Sequence, residues 1–248
     1  MEAYVKHFEN EPIGYLEFGH PAANSLPSHL LQQLEQQLNE LSKNKAVRVI
    51  VIQSSGDRAF CAGASFDEMK TLKNKEEATA FFMGFANLIN RIRLLDKFVI
   101  VKVQGKVVGG GVGLVAACDY VIALDTAAVK LSELSIGIGP YVIEPAVSRK
   151  IGTPAFVKLS LDAHQWKSAV WALQHGLYTS ICNSIEDLEQ TLLNTAIRLG
   201  NYPQTANASL RKLHWKNTDH WDTSLPKNAE ITAKLALEKA TQDILKKM

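Results

Sequence analysis

The sequence predicts an α/β protein: a core of alternating strands and helices, followed by a helical region. Three observations carry this. Runs of β-branched residues alternate with stretches of helical periodicity through about residue 131, the pattern of βαβ crossovers. Glycine-rich turns follow two of the strands. Beyond Tyr141 the strand signals fade, and residues 153–175, 186–199, 203–215 and 226–247 read mainly as helices, with a break at Asn201-Tyr202-Pro203. The expected division is 1–150 for the α/β core and 151–248 for the helical region.

Taken in order, Tyr4-Val5-Lys6-His7-Phe8 and Ile13-Gly14-Tyr15-Leu16-Glu17-Phe18 read as two strands around a Glu11-Pro12 turn. A turn-rich link, His20 to Leu26, leads to a helix in which Leu30, Leu31, Leu34, Leu38 and Leu41 recur at helical spacing. Ser28 is its expected cap. Val47 to Ile52 is a third strand, and the small-residue loop Gly56 to Asp67 would let a ligand lie against bare backbone. A helix from Glu76 to Leu95 has Phe81, Phe82, Phe85, Leu88, Ile89 and Ile92 on its apolar face. The strand Val99 to Val103 then enters Gly105-Lys106-Val107-Val108-Gly109-Gly110-Gly111, and Val112 to Ala117 suit a short buried helix. Tyr120 to Leu124 and Ala127 to Leu131 read as two more strands. No internal repeat is evident, and Trp215 and Trp221 are expected to pack in a core or against a subunit.

Composition excludes several classes. With 46 % apolar and 21 % charged residues among 248, the chain resembles an ordinary soluble domain. A net charge of +2 gives no global attraction to nucleic acid or to an anionic membrane, and no apolar run is long enough to span a bilayer. Cys61, Cys118 and Cys182 are widely spaced, which favours a reducing compartment, and without an apolar signal core the protein is expected to be cytoplasmic. Seven scattered histidines form no zinc or metalloprotease spacing, so no metal site is expected. The glycines fit neither a dinucleotide nor a P-loop pattern, and no Gly-x-Ser-x-Gly is present. An oxyanion-binding turn survives, because strand, glycine turn and helix aim free N–H groups at one point. Glu133 follows a strand between apolar neighbours, where lost hydration would raise its pKa and suit it to acid–base work. A helix-start carboxylate is the structural alternative.

Read together, Ala59-Phe60-Cys61-Ala62-Gly63-Ala64, then Gly109-Gly110-Gly111, then Glu133 resemble the crotonase superfamily of enoyl-CoA hydratases and isomerases. The resemblance implies a ββα spiral core acting on acyl-CoA thioesters, with no cofactor beyond the CoA of the substrate. It also implies assembly as a homotrimer or a dimer of trimers. It assigns Glu133 as acid–base and the N–H groups of Ala64 and Gly110 as the oxyanion hole. The backbone near Ala22, Ala62 and Ala64 would hold CoA, with Arg58 meeting a phosphate. Hydratases of the superfamily pair two glutamates, and the earlier position is Gly113 here. Ser65 also stands where many relatives carry Asp. The departure at Gly113 favours double-bond isomerisation over water addition. The alternatives are a hydratase in which Tyr141 or Glu144 replaces the missing acid, and a non-catalytic acyl-CoA binder. An RNA-binding role by family analogy finds no basic stripe to support it.

Overall fold

The computed structural model describes residues 2–247. Its strands are β1 (Tyr4–Asn10), β2 (Ile13–Gly19), β3 (Val49–Ser54), β4 (Ala59–Cys61), β5 (Phe98–Val103), β6 (Lys106–Val108), β7 (Tyr120–Leu124), β8 (Ala128–Lys130), β9 (Lys167–Ser168) and β10 (Ser180–Cys182). Its helices are α1 (Ser28–Lys43), α2 (Phe66–Met69), α3 (Lys75–Arg93), α4 (Gly110–Ala117), α5 (Glu144–Ile151), α6 (Thr153–Leu161), α7 (Ala169–Gln174), α8 (Ile185–Asn201), α9 (Gln204–His214), α10 (Trp221–Ala236) and α11 (Lys239–Leu245). A 3₁₀ turn spans Glu133–Ile136.

Two sheets result. The larger runs β1-β2-β3-β5-β7-β10 and is parallel from β2 onward; the smaller runs β4-β6-β8-β9, with β4, β6 and β8 parallel. Strands β3, β5 and β7 of the large sheet each hand the chain directly to a short strand of the small one, β4, β6 and β8. A helical segment then returns it. This is a ββα unit wound three times, a structural repeat that no sequence periodicity announces. The units share hydrogen-bonding geometry without sharing side chains.

The long strands are apolar throughout because both faces of the large sheet are covered. Ile50 and Ile52 face the main core with Leu30, Leu34 and Leu38 of α1, while Val49 and Val51 face a second layer sealed by Leu188, Leu192 and Ala196 of α8. Ser28 turns out to be the first residue of α1 and not its cap: Pro27 precedes the helix, and the Ser28 N–H donates to Glu68 Oε2 at 2.8 Å. The region after residue 150 is also not wholly helical. β9 and β10 interrupt it, and each completes an edge of a sheet built by the first half of the chain. Strands of two and three residues are too short to show a period. Trp215 and Trp221 are buried and meet edge to face, with centroids 5.8 Å apart.

Candidate active site

The carboxyl ends of the three parallel strands of the small sheet lie side by side, and the loops leaving them build the site. Beyond β4 come Ala62, Gly63 and Ala64; beyond β6, Gly109 and Gly110; beyond β8, Ser132 and Glu133. All seven line one cavity with about 550 Å³ of empty space, part of it open to solvent. The loops touch closely. A Cβ on Gly63 would stand 3.5 Å from Gly110 N, and Gly109 N–H donates to the Lys130 carbonyl at 3.0 Å.

Gly109 turns the chain from β6 into α4 with φ 53° and ψ −122°, a conformation that side chains resist. A Cβ there would also press within 3.1 Å of Glu133 Oε1. Gly110 opens α4, so its N–H has no partner inside the helix. Among the described residues, no backbone acceptor meets the N–H of Ala64 or of Gly110. Leu26 N–H donates to the Gly63 carbonyl at 2.8 Å, which pins the segment carrying Ala64. Ser65 caps α2, its hydroxyl accepting from Glu68 N–H at 3.3 Å.

Glu133 is the one titratable side chain lining the cavity among the described residues. Its Oε2 is buried and has no hydrogen-bond partner among the described residues. Burial pushes its pKa up to about 7, against a smaller opposing pull from the backbone at Glu133 and Ser132. A carboxyl so placed exchanges a proton near neutrality. The rest of the wall is mainly hydrocarbon, including Met69, Phe82, Phe85, Ile138, Val142 and Ile143.

The other sequence candidates separate by position. Ala62 lines the cavity, and its N–H donates to the Ala23 carbonyl at 3.1 Å. Arg58 is exposed and lines a neighbouring groove with His20, Asn24 and Lys106. Ala22 is exposed between two residues of that groove, Pro21 and Ala23. The Asn24 amide, which no sequence motif marks, donates to the carbonyls of Ser55 and Ala59 at 2.8 and 2.9 Å and so fixes this turn. The segment from Arg58 to Ala64 therefore runs from groove to cavity.

Tyr141 and Glu144 line no part of the cavity. Tyr141 is exposed, and Glu144 opens α5 beside a different surface pocket with Arg149 and Trp221. The residues that reach inward from this segment are Val142 and Ile143. A Cβ on Gly113 would lie 2.3 Å from Ile143 Cγ2, so the branched side chain occupies the space over Gly113. Nothing in the local sequence marks Ile143, since its contact with Gly113 depends on how the loop returns across α4. Among the described residues, no group of three His, Cys, Asp or Glu is arranged to hold a metal ion, and no helix is long and apolar enough to cross a membrane.

The sequence profile of a family described as Enoyl-CoA hydratase/isomerase matches residues 9–247. A probable enoyl-CoA hydratase of Bacillus subtilis (strain 168) is 29% identical over 220 residues, 88% of this chain and 84% of that one. A short-chain-enoyl-CoA hydratase of Clostridium acetobutylicum is 30% identical over 181 residues, 73% and 67% of the respective chains. The crystal structure of an enoyl-CoA hydratase from Mycobacterium avium superposes with a TM-score of 0.84 at 26% identity, covering 98% of this chain and 95% of that one. An enoyl-CoA hydratase from Bacillus halodurans shares the fold at a TM-score of 0.92 and 20% identity, covering 99% and 100%.

Proposed function

The chain belongs to the enoyl-CoA hydratase/isomerase family, and on that premise we propose that it moves the carbon–carbon double bond of an enoyl-CoA thioester. The observation that carries this reading is that Glu133 is, among the described residues, the single carboxyl lining the cavity, with a buried oxygen that none of them partners and a pKa pushed up to about 7. Glu133 takes a proton from C2 of a 3-enoyl-CoA. The electron pair left behind spreads onto the thioester oxygen, and the N–H groups of Ala64 and Gly110 hold that oxyanion. The same carboxyl returns the proton to C4, which leaves the double bond between C2 and C3. No water is consumed and no second acid is required.

The remaining residues suit the rest of the substrate. Apolar walls such as Phe82, Ile138 and Val142 fit a hydrocarbon acyl group, because a charged one would be buried without a partner. The backbone near Ala22 and Ala62 would hold the adenine and pantetheine parts of CoA, and Arg58 with Lys106 would meet its phosphates.

Water addition is the second reading, favoured by the hydratase names of the relatives. It would require Glu133 to manage both proton transfers. Mass spectrometry of products from 2-enoyl-CoA and 3-enoyl-CoA separates the two. An isobaric product that falls by about 10²–10⁴-fold in Glu133→Gln supports isomerisation. A product heavier by one water supports hydration. Tight thioester binding with no product, unchanged by Glu133→Gln, would mean a binder.

A further inference from the structure

We propose that Ile143 decides which reaction this site performs, by denying water a place beside Glu133 and the reacting carbons. The proposal rests on the enoyl-CoA reading above. Ile143 is 3% exposed, lines the cavity, and precedes α5 at the end of the loop that also brings Ile138 and Val142 into the wall. It lies hard against α4. A Cβ on Gly113 would fall 2.3 Å from its Cγ2 and 2.6 Å from its Cβ, with Ile89 Cδ1 at 3.1 Å. These separations are well inside van der Waals contact. Gly113 itself does not line the cavity, so Ile143 is what the substrate meets there.

Gly113 stands three residues after Gly110 in α4, so side chains at the two positions would share a helix face, and Gly110 and Ile143 line the same cavity. Ile143 therefore puts hydrocarbon into the cavity that Glu133, Ala64 and Gly110 also line. Adding water across the double bond requires an O–C3 bond to form while a base takes the water proton and an acid delivers a proton to C2. Glu133 can do both in turn only if a water stands against C3. A buried water needs two to four polar partners. Of the wall's hydroxyls, that of Thr232 already donates to the Asn228 carbonyl at 2.9 Å and can only accept, Ser132 carries the other, and Ile143 offers hydrocarbon alone. Isomerisation needs no such molecule. The same carboxyl is thus restricted to proton shuttling by its surroundings.

The test compares the wild type with Ile143→Ala, which removes three carbons, and Ile143→Thr, which keeps the branched shape and adds a hydroxyl. Each is incubated with 2-enoyl-CoA and 3-enoyl-CoA in ¹⁸O-labelled water, and the products are weighed. The wild type is expected to give the isobaric product with no more than a trace of hydrate, which sets the reference ratio. Both variants are expected to raise the ratio of labelled 3-hydroxyacyl-CoA to isomer at least tenfold, and adding Glu133→Gln should abolish both products. Should the alanine variant fold poorly, the threonine variant decides. A wild type that isomerises, with variants that do so at an unchanged hydrate ratio, overturns the role of Ile143 alone. A wild type that hydrates, or yields neither product, overturns the isomerase reading as well.

Discussion

In the proposed reaction Glu133 has to lose a proton in a place that penalises the charge. Its Oε2 is buried without a partner among the described residues, and burial lifts the pKa from 4.5 to about 7. On the proposed mechanism the base form abstracts the C2 proton, so kcat/KM on 3-enoyl-CoA should climb about tenfold per pH unit below 7 and level off above it. A stopped-flow or coupled assay between pH 5 and 9 reads this, and a flat profile would remove Glu133 from the rate equation. The same shift acts on stability. The folded pKa lies above the unfolded one, so between pH 4.5 and 7 the folded state holds more protons, and stability falls as pH rises through that window. Glu133→Gln should abolish this dependence and, above pH 7, stabilise the fold by about 1–3 kcal/mol. Urea melts at pH 5 and pH 8 measure it. Glu133 is legible in the sequence only beside the Ala59–Ala64 and Gly109–Gly111 segments, since its own neighbours are Ser132 and Leu134, the latter 52% exposed. Ile143 is not, because its effect arises only from where it touches Gly113, thirty positions earlier in the chain.

At the scale of elements, the turn that carries Glu133 is held from outside. It ends at Gly137, φ 88°, whose carbonyl accepts from Thr241 Oγ1 of α11 at 3.2 Å. Thr241 is 1% exposed, and a Cβ on Gly137 would come within 2.5 Å of its hydroxyl. The last helix is therefore a clamp on the turn that carries Glu133. Thr241→Val keeps the shape and deletes the hydrogen bond, and should lower kcat about 3–10-fold with KM little changed. Thr241→Ser should recover most of the loss. Equal changes in kcat and KM, or no recovery with serine, would make the contact one of packing alone. Long elements are readable because burial on both faces writes itself as β-branched runs, as in Val49 to Ile52 and Val99 to Val103. The two- and three-residue strands β4, β6, β9 and β10 are not. Their ladders are set by neighbours distant in the chain, as Ala59 with Lys106 shows, and no local period encodes them.

The whole molecule depends on joining its helical end to the sheet, and Arg211 makes that joint. Its Nε donates to Asp119 Oδ2 at 2.8 Å, while its other nitrogens donate to the carbonyls of Ile92, Arg93 and Leu95 at and just beyond the end of α3. Asp119, just before β7, also accepts from Val99 N–H at 2.8 Å and from Trp215 Nε1 at 3.2 Å. One buried side chain thus closes the carboxyl end of a helix, a strand entry and α9 together. The arginine side chain is 1% exposed and that of the aspartate 9%, so removing either leaves a charge with little water to solvate it. Arg211→Met should cost about 3–5 kcal/mol of unfolding free energy, seen as a lower urea midpoint. Much of that cost belongs to the stranded carboxylate. In an Asp119→Asn background the same arginine substitution should therefore cost less, and the double variant should be more stable than the sum of the singles predicts. Strict additivity would show instead that the three helix carbonyls, and not the ion pair, are what the arginine serves.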